Sequence, residues 1–279
     1  MYPFIDLYIR KIPTYGLMLV VGVIFVFVFS YRRVKREGME RPMDSLLLVA
    51  TCTMTCAILG ANILYNIVTY SWSQIWEMIT SFNFAPMGGL VFYGGLIGGI
   101  LGAWIGSKLA QTPLMAFERA VVPFIPLGYG FGRIGCLLGG CCYGMPYDGI
   151  FAVQYPQVVC ENHGVVHAPG DVLRFPTPLL DTFISILVCV FLVWFTRKPK
   201  SETGKQGLYF RLRFRRGALL LMYLAIYCVQ RFVIEFFRGD KVRGLYGWFS
   251  TSQWISLAIA VVVAVLLVVM HRKKSKFKQ

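Results

Sequence analysis

Nowhere in these 279 residues is there a run of strand length that alternates apolar and polar positions. That absence argues against a membrane β-barrel, whose strands need about ten such residues each. Also missing are the amphipathic stripes by which a soluble helix turns one face to a core. Charge is scarce, at 15% of residues, and one-sided: 13 acidic residues face 28 basic ones, a net charge of +15. A basic excess of this kind can suit nucleic acid. Here, however, the Lys and Arg gather in short segments between apolar runs, which is a topogenic pattern and an attraction for anionic lipid head groups. No nucleic-acid partner is expected. The segment from Met1 to Pro13 lacks the features of a cleavable signal: the run after Arg10 and Lys11 is too long, and no small-residue cleavage site follows. The first helix is itself the expected insertion signal.

What is present is hydrophobic length. Apolar residues make up 57% of the chain, and the mean hydropathy is +0.62. They come in runs of about 20, the length a helix needs to cross a hydrocarbon core. The expected fold is therefore an all-α integral membrane protein with about seven transmembrane helices. The spans read as 15–31, 45–70, 88–108, 116–138, 176–196, 217–237 and 252–270. The fourth is the least regular, with Glu118, Arg119 and Arg133 in or beside it. Basic clusters follow the first span (Arg32 to Arg41), the fifth (Arg197 to Arg216) and the last (Arg272 to Lys278), whereas Ser71 to Pro86 has no Lys or Arg and 144–175 has only Arg174. This alternation predicts an outside N-terminus and a cytoplasmic C-terminus. Residues 1–279 read as a single polytopic domain, with 144–175 as an extracytoplasmic loop region.

Three places put polar or glycine-rich sequence where lipid should be. In Gly88-Gly89-Leu90-Val91-Phe92-Tyr93-Gly94-Gly95 and its continuation through Gly98-Gly99, close helix packing explains most of the glycines. The doubled glycines around Tyr93 equally suit the approach of a ligand to the backbone. The second place, Gly128 to Gly144, carries Arg133. An arginine at membrane depth is costly unless paired, hydrated or interfacial, and no acidic residue lies one helical turn away. Its forked donors suit a phosphate; a structural ion pair or a snorkelling side chain is the alternative. The third place, Arg231 to Asp240, sets Arg231 and Glu235 four apart on one helix face, the spacing of an intramembrane pair. Arg238 lies a turn further on, free to share Glu235 or to face an outer anion. With Arg133 it would form a clamp for a phospholipid phosphate.

Cys52, Cys56, Cys189 and Cys228 sit inside apolar runs and read as small buried hydrophobes. Cys136, Cys141, Cys142 and Cys160, with His163, have the residue types for zinc, but their spacing matches no common ligand pattern. Adjacent Cys141 and Cys142 make an awkward chelate. A disulfide in the outer loop, a nucleophilic cysteine and free packing thiols all remain open.

At these residues the chain resembles the bacterial prolipoprotein diacylglyceryl transferase family. The resemblance rests on Gly132-Arg133-Ile134-Gly135 and the run that ends at Gly144, with Tyr15-Gly16-Leu17, Phe92-Tyr93-Gly94-Gly95-Leu96-Ile97-Gly98, Pro176 to Asp181, Arg231 to Asp240, and Ser252-Gln253-Trp254-Ile255-Ser256. These blocks run in order over nearly the whole chain. The resemblance implies an enzyme of the bacterial cytoplasmic (inner) membrane that moves a diacylglyceryl group from phosphatidylglycerol to the lipobox cysteine thiol of a prolipoprotein signal peptide, releasing glycerol phosphate. It makes Arg133 and Arg238 the phosphate-binding pair and Tyr93 the candidate base or acceptor-positioning group. Tyr15, Gly94, Gly95, Gly135, Cys136 and Gly144 become substrate contacts. Neither a metal nor a cofactor is implied. The chain departs from the family where it has Tyr93 for a histidine, Cys136 for an asparagine, Cys141 for an acidic residue and Asn62 for an arginine. A free tyrosine titrates near about 10, a poor base at neutral pH unless a cation lowers it.

The departures leave open a paralogue with another acceptor, or a lipid-binding protein without catalysis. A lipid transporter would show polar residues along both halves of a pathway and repeat-like halves, and neither is seen. A membrane scaffold would leave Arg133 and Arg238 unexplained.

Overall fold

The computed structural model describes residues 4–7, 10–36, 41–81, 91–155, 159–160, 165–166, 172–196, 217–239 and 245–275. Among them, six helices are long and apolar enough to cross a membrane: Thr14–Arg36, Pro42–Thr69, Phe117–Leu138, Thr177–Phe195, Ala218–Glu235 and Thr251–Val268. A further apolar helix of 18 residues, Phe92–Leu109, occupies the third predicted span. In chain order the helices are α1 (Thr14–Arg36), α2 (Pro42–Thr69), α3 (Trp72–Thr80), α4 (Phe92–Leu109), α5 (Leu114–Val121), α6 (Ile125–Leu138), α7 (Thr177–Phe195), α8 (Ala218–Glu235) and α9 (Thr251–Ser275). Short hairpins account for the strands: Phe4–Leu7 with Arg10–Pro13, Val153–Gln154 with Leu173–Arg174, Val159–Cys160 with Val165–Val166, and Leu245–Tyr246 with Phe249–Ser250. The basic loop 197–216 lies outside the described residues.

The chain gathers into two compact units, Tyr31–Phe117 and the remainder, Met1–Ser30 with Glu118–Gln279. In the first of these, α2 and α4 lie backbone to backbone. A Cβ on Gly94 would strike the Gly60 carbonyl, and one on Gly98 or Gly102 would strike the carbonyl of Cys56 or Cys52. Glycines every fourth residue form one stripe of a helix, so α4 approaches α2 along its length, as small residues permit in lipid. This is the packing use of the glycine-rich run, and Gly94 is committed to it. Gly95 faces Ala57 and Ala61 at ordinary contact distance.

In the larger unit the fourth predicted span is broken. Pro123 and Pro126 interrupt the hydrogen-bond ladder between α5 and α6, and a short 3-10 turn, Val122–Phe124, joins them. Helix α6 packs on α1 through Gly22, whose Cβ would meet that of Phe131 at 2.8 Å, and through the stacked rings of Phe25 and Phe131, 5.1 Å apart. Its other face meets α7, with Gly130 against Thr182 and Ser185. Val122, Val188, Leu192, Phe195, Leu219 and Tyr223 form an apolar cluster where α7 and α8 meet the 3-10 turn.

Polarity is arranged as lipid demands. Asp181, Thr182, Ser185, Gln230, Arg231, Gln253 and Ser256 are buried, while Val20, Ile24, Phe183, Val190, Val229 and Val262 are exposed. Glu118, an irregularity in the sequence, has a structural task. Its carboxylate accepts hydrogen bonds from the backbone N–H groups of Gly217 (2.7 Å) and Leu220 (3.0 Å), capping the start of α8 from another helix. Gly217, at φ +83°, makes the left-handed turn into that helix. Glu118→Ala is expected to lower stability by about 1–2 kcal/mol, the scale of a lost helix cap, read as a lower Tm of the purified protein.

Candidate active site

Arg133 projects from α6 one turn beyond Tyr129, so the two side chains share a helix face. The guanidinium donates from Nε (2.8 Å) and Nη2 (2.6 Å) to the Tyr129 hydroxyl, and its carbon lies 4.9 Å from the centre of the Tyr129 ring. It also forms an ion pair, Nε to Oδ2 at 2.7 Å, with Asp181 of α7. The local partner that helical spacing does not supply thus comes from another helix. Asp181 is held in turn: Tyr129 Oη donates to Oδ2 at 2.7 Å, and Gln230 Nε2 of α8 donates to Oδ1 at 2.6 Å and to Ser185 Oγ at 3.0 Å. Three helices meet in this network. Arg133 Nη1 has no hydrogen-bond partner among the described residues, so the guanidinium keeps donors for an anion.

Arg231 and Glu235 form the intrahelical pair expected from their spacing, at 2.6 Å, and Arg231 Nη2 donates to Ser252 Oγ at 2.9 Å. Arg238 lies just past the end of α8. Its backbone forms an antiparallel bridge with Gly144, flanked by Met145 N to Phe237 O (3.0 Å) and Gly239 N to Tyr143 O (3.2 Å). Gly144 has no room for a side chain: a Cβ would strike the Phe175 carbonyl oxygen and lie 2.9 Å from that of Phe237. The fields of Arg133 and Arg238 both reach Cys142 and Arg231. Two arginines from different segments are therefore brought to one neighbourhood.

Arg174, on the strand Leu173–Arg174, adds a third. It is buried, its guanidinium carbon lies 4.5 Å from the centre of the Tyr143 ring, and Nη1 donates to Gly144 O at 3.3 Å. With Arg231, four guanidinium groups stand, among the described residues, against the carboxylates of Asp181 and Glu235. The surplus is positive, as an anion site requires.

Tyr15, at the start of α1, lies against Gly135, whose Cβ would meet the Tyr15 ring at 3.1 Å. Cys136 is buried beside it. Cys136, Cys141 and Cys142 form no disulfide. The Cys142 thiol is pushed below its ordinary value by hydrogen bonds with Cys136 and Cys141 and by the charges of Arg238 and Arg133, while hydrogen bonding with Cys136 and Cys142 pushes Cys141 up. The side chain of Cys160, and His163 altogether, lie outside the described residues. Tyr93 falls in the first turn of α4, in the other unit, and its side chain is also outside them. Asn62, on α2, accepts a hydrogen bond from Asn66 Nδ2 at 3.1 Å.

Tyr129, Asp181, Gln230 and Arg174 have no role that composition or spacing alone assigns. Asp181 carried the clearest signal. It is the only ionisable acid in the apolar run 177–195, and a carboxylate at that depth needs a cation or a hydrogen-bond network.

Comparison with known proteins shows the family. The prolipoprotein diacylglyceryl transferase family matches residues 4–269. This chain belongs to that family. It is 33% identical over 252 residues to phosphatidylglycerol–prolipoprotein diacylglyceryl transferase 2 of Clostridium perfringens, covering 90% of this chain and 88% of that protein. The enzyme of the same name from Clostridium tetani is 30% identical over 259 residues, covering 92% of each. That of Methylococcus capsulatus is 28% identical over 281 residues, covering 95% of this chain and 93% of the relative. As a member of the prolipoprotein diacylglyceryl transferase family, the chain is a multi-pass membrane protein.

Proposed function

We propose that this protein transfers the diacylglyceryl group of phosphatidylglycerol to the lipobox cysteine thiol of a prolipoprotein signal peptide, at the outer face of the bacterial inner membrane. The observation that carries this reading is Arg133, held by Asp181 and Tyr129, together with Arg238, fixed by its backbone bridge to Gly144, both within electrostatic reach of Arg231 and Cys142. In the transfer, the acceptor sulphur forms a bond to the glycerol carbon as the carbon–oxygen bond to phosphate breaks. Glycerol phosphate leaves with the electron pair, and the thiol proton goes to a base. Negative charge grows on the leaving phosphate, where arginine donors act most strongly. Tyr15, Gly135, Cys136 and Gly144 shape the cradle around these donors, and the outside N-terminus with a cytoplasmic C-terminus follows from the basic loops.

Tyr93 keeps the base or acceptor-positioning role on the sequence resemblance, as does Gly95 its place beside the substrate, whereas Gly94 serves the packing of α4 on α2. If Tyr93 holds the position of the family histidine, Tyr93→His sustains or raises turnover, whereas Tyr93→Phe lowers it about 100-fold, the scale of a lost acid–base group. Loss of activity in Tyr93→His would remove Tyr93 from that position.

The reading is tested in a bacterium whose own transferase is placed under repressible control. On repression, this chain is expected to restore growth and the gel shift of a lipidated reporter lipoprotein. Membrane-inserted protein with the reporter left unmodified would overturn the assignment.

A further inference from the structure

The sulphurs of Cys136, Cys141 and Cys142 lie within 4.8 Å of one another. Their spacing in sequence argues against a shared ligand, because neighbours along an extended chain point to opposite sides. The backbone removes that objection. Cys142 adopts φ +58°, a left-handed conformation uncommon for a residue with a Cβ, two residues after Gly140 at φ +72°. The chain thus doubles back at the end of α6, and the adjacent thiols converge on Cys136, five residues before Cys141. A metal about 2.3 Å from each sulphur in a tetrahedral site needs sulphur pairs about 3.8 Å apart, within reach of small side-chain rotations from this arrangement.

A second observation points to the same place. Tyr155 is fully buried, within electrostatic reach of all three sulphurs, and its hydroxyl has no hydrogen-bond partner among the described residues. A buried hydroxyl without a partner is costly. A solvent molecule completing the coordination of a metal would supply one.

We propose that Cys136, Cys141 and Cys142 form a three-thiolate site for a thiophilic closed-shell cation, with zinc(II) as the test ion. Each thiol that binds gives its proton to solvent. Three thiolates around a divalent ion carry a net single negative charge, and Arg133 and Arg238 lie where they stabilise it. Soft sulphur ligands without carboxylates select such cations over magnesium or calcium. The site clamps the turn between α6 and the Gly144–Arg238 bridge. This inference goes beyond the transfer reaction and does not rest on it.

The test uses full-length protein purified in detergent under reducing conditions, loaded with zinc sulfate, desalted, and assayed by elemental mass spectrometry. About one zinc per chain is expected. The triple variant Cys136→Ser/Cys141→Ser/Cys142→Ser is expected to hold about ten-fold less, while Cys52→Ser/Cys56→Ser/Cys189→Ser/Cys228→Ser retains the metal. Zinc is also expected to raise the wild-type Tm by mass action, with no shift in the triple variant. Should the triple variant fail to fold, cobalt(II) added to wild-type protein gives a thiolate charge-transfer band that weakens in Cys141→Ser. Wild-type protein that holds no zinc above the triple variant, shows no cobalt–thiolate band, or has these three cysteines oxidised as isolated would overturn the proposal.

Discussion

Replacing Arg133 with alanine is expected to lower kcat/KM for phosphatidylglycerol by about 100- to 1,000-fold, the scale of removing one donor from a site of developing charge. Tyr129 and Asp181 fix Arg133 from one side, at 2.6–2.8 Å, and one nitrogen remains for an anion. A guanidinium held in this way meets a phosphate without losing side-chain freedom at the moment of binding. Arg133→Lys is expected to fail nearly as badly, because an ammonium cannot serve Asp181, Tyr129 and a phosphate through a planar fork. Assays with purified variants of unchanged elution profile check both. Wild-type turnover in Arg133→Ala would remove Arg133 from the chemistry.

The second large effect is expected at Asp181, which touches no substrate in this account. Its carboxylate is buried and receives hydrogen bonds from Tyr129 and Gln230 beside its ion pair with Arg133. Asp181→Ala leaves a buried guanidinium without its counter-charge, a change that destabilises by about 3–5 kcal/mol. Tm and activity are both expected to fall. Replacing both charges with leucine separates the two roles. Arg133→Leu/Asp181→Leu recovers much of the lost stability, because a well-packed apolar pair is tolerated where a broken ion pair is not. It recovers no transfer activity. A double variant that is both stable and active would show the pair to be structural only.

How much of this could be read beforehand depended on the range of each interaction. Span lengths and basic loops are local, so the helical membrane fold was legible, as was the Arg231–Glu235 pair, whose partners sit one helical turn apart. Asp181 lies within a family block, but its pairing with Arg133 crosses from α6 to α7, and no periodicity reports it. Gly94 resembled a ligand-facing glycine as much as a packing one; only the position of α2 shows that its missing side chain admits the Gly60 carbonyl. The two prolines that break the fourth span, Pro123 and Pro126, are local signals in the sequence, and they mark the break directly. For the cysteines, spacing misled in the opposite direction, since one left-handed residue, Cys142, changes which way a neighbouring pair points.

The most direct measurement combines the purified protein with phosphatidylglycerol carrying a labelled head group and a synthetic lipobox peptide, following both products together. One released glycerol phosphate is expected for each thioether-linked diacylglyceryl peptide, with neither product formed when the peptide cysteine is replaced by serine. Monodisperse protein that leaves the peptide unmodified, or head group released without thioether formation, would contradict it.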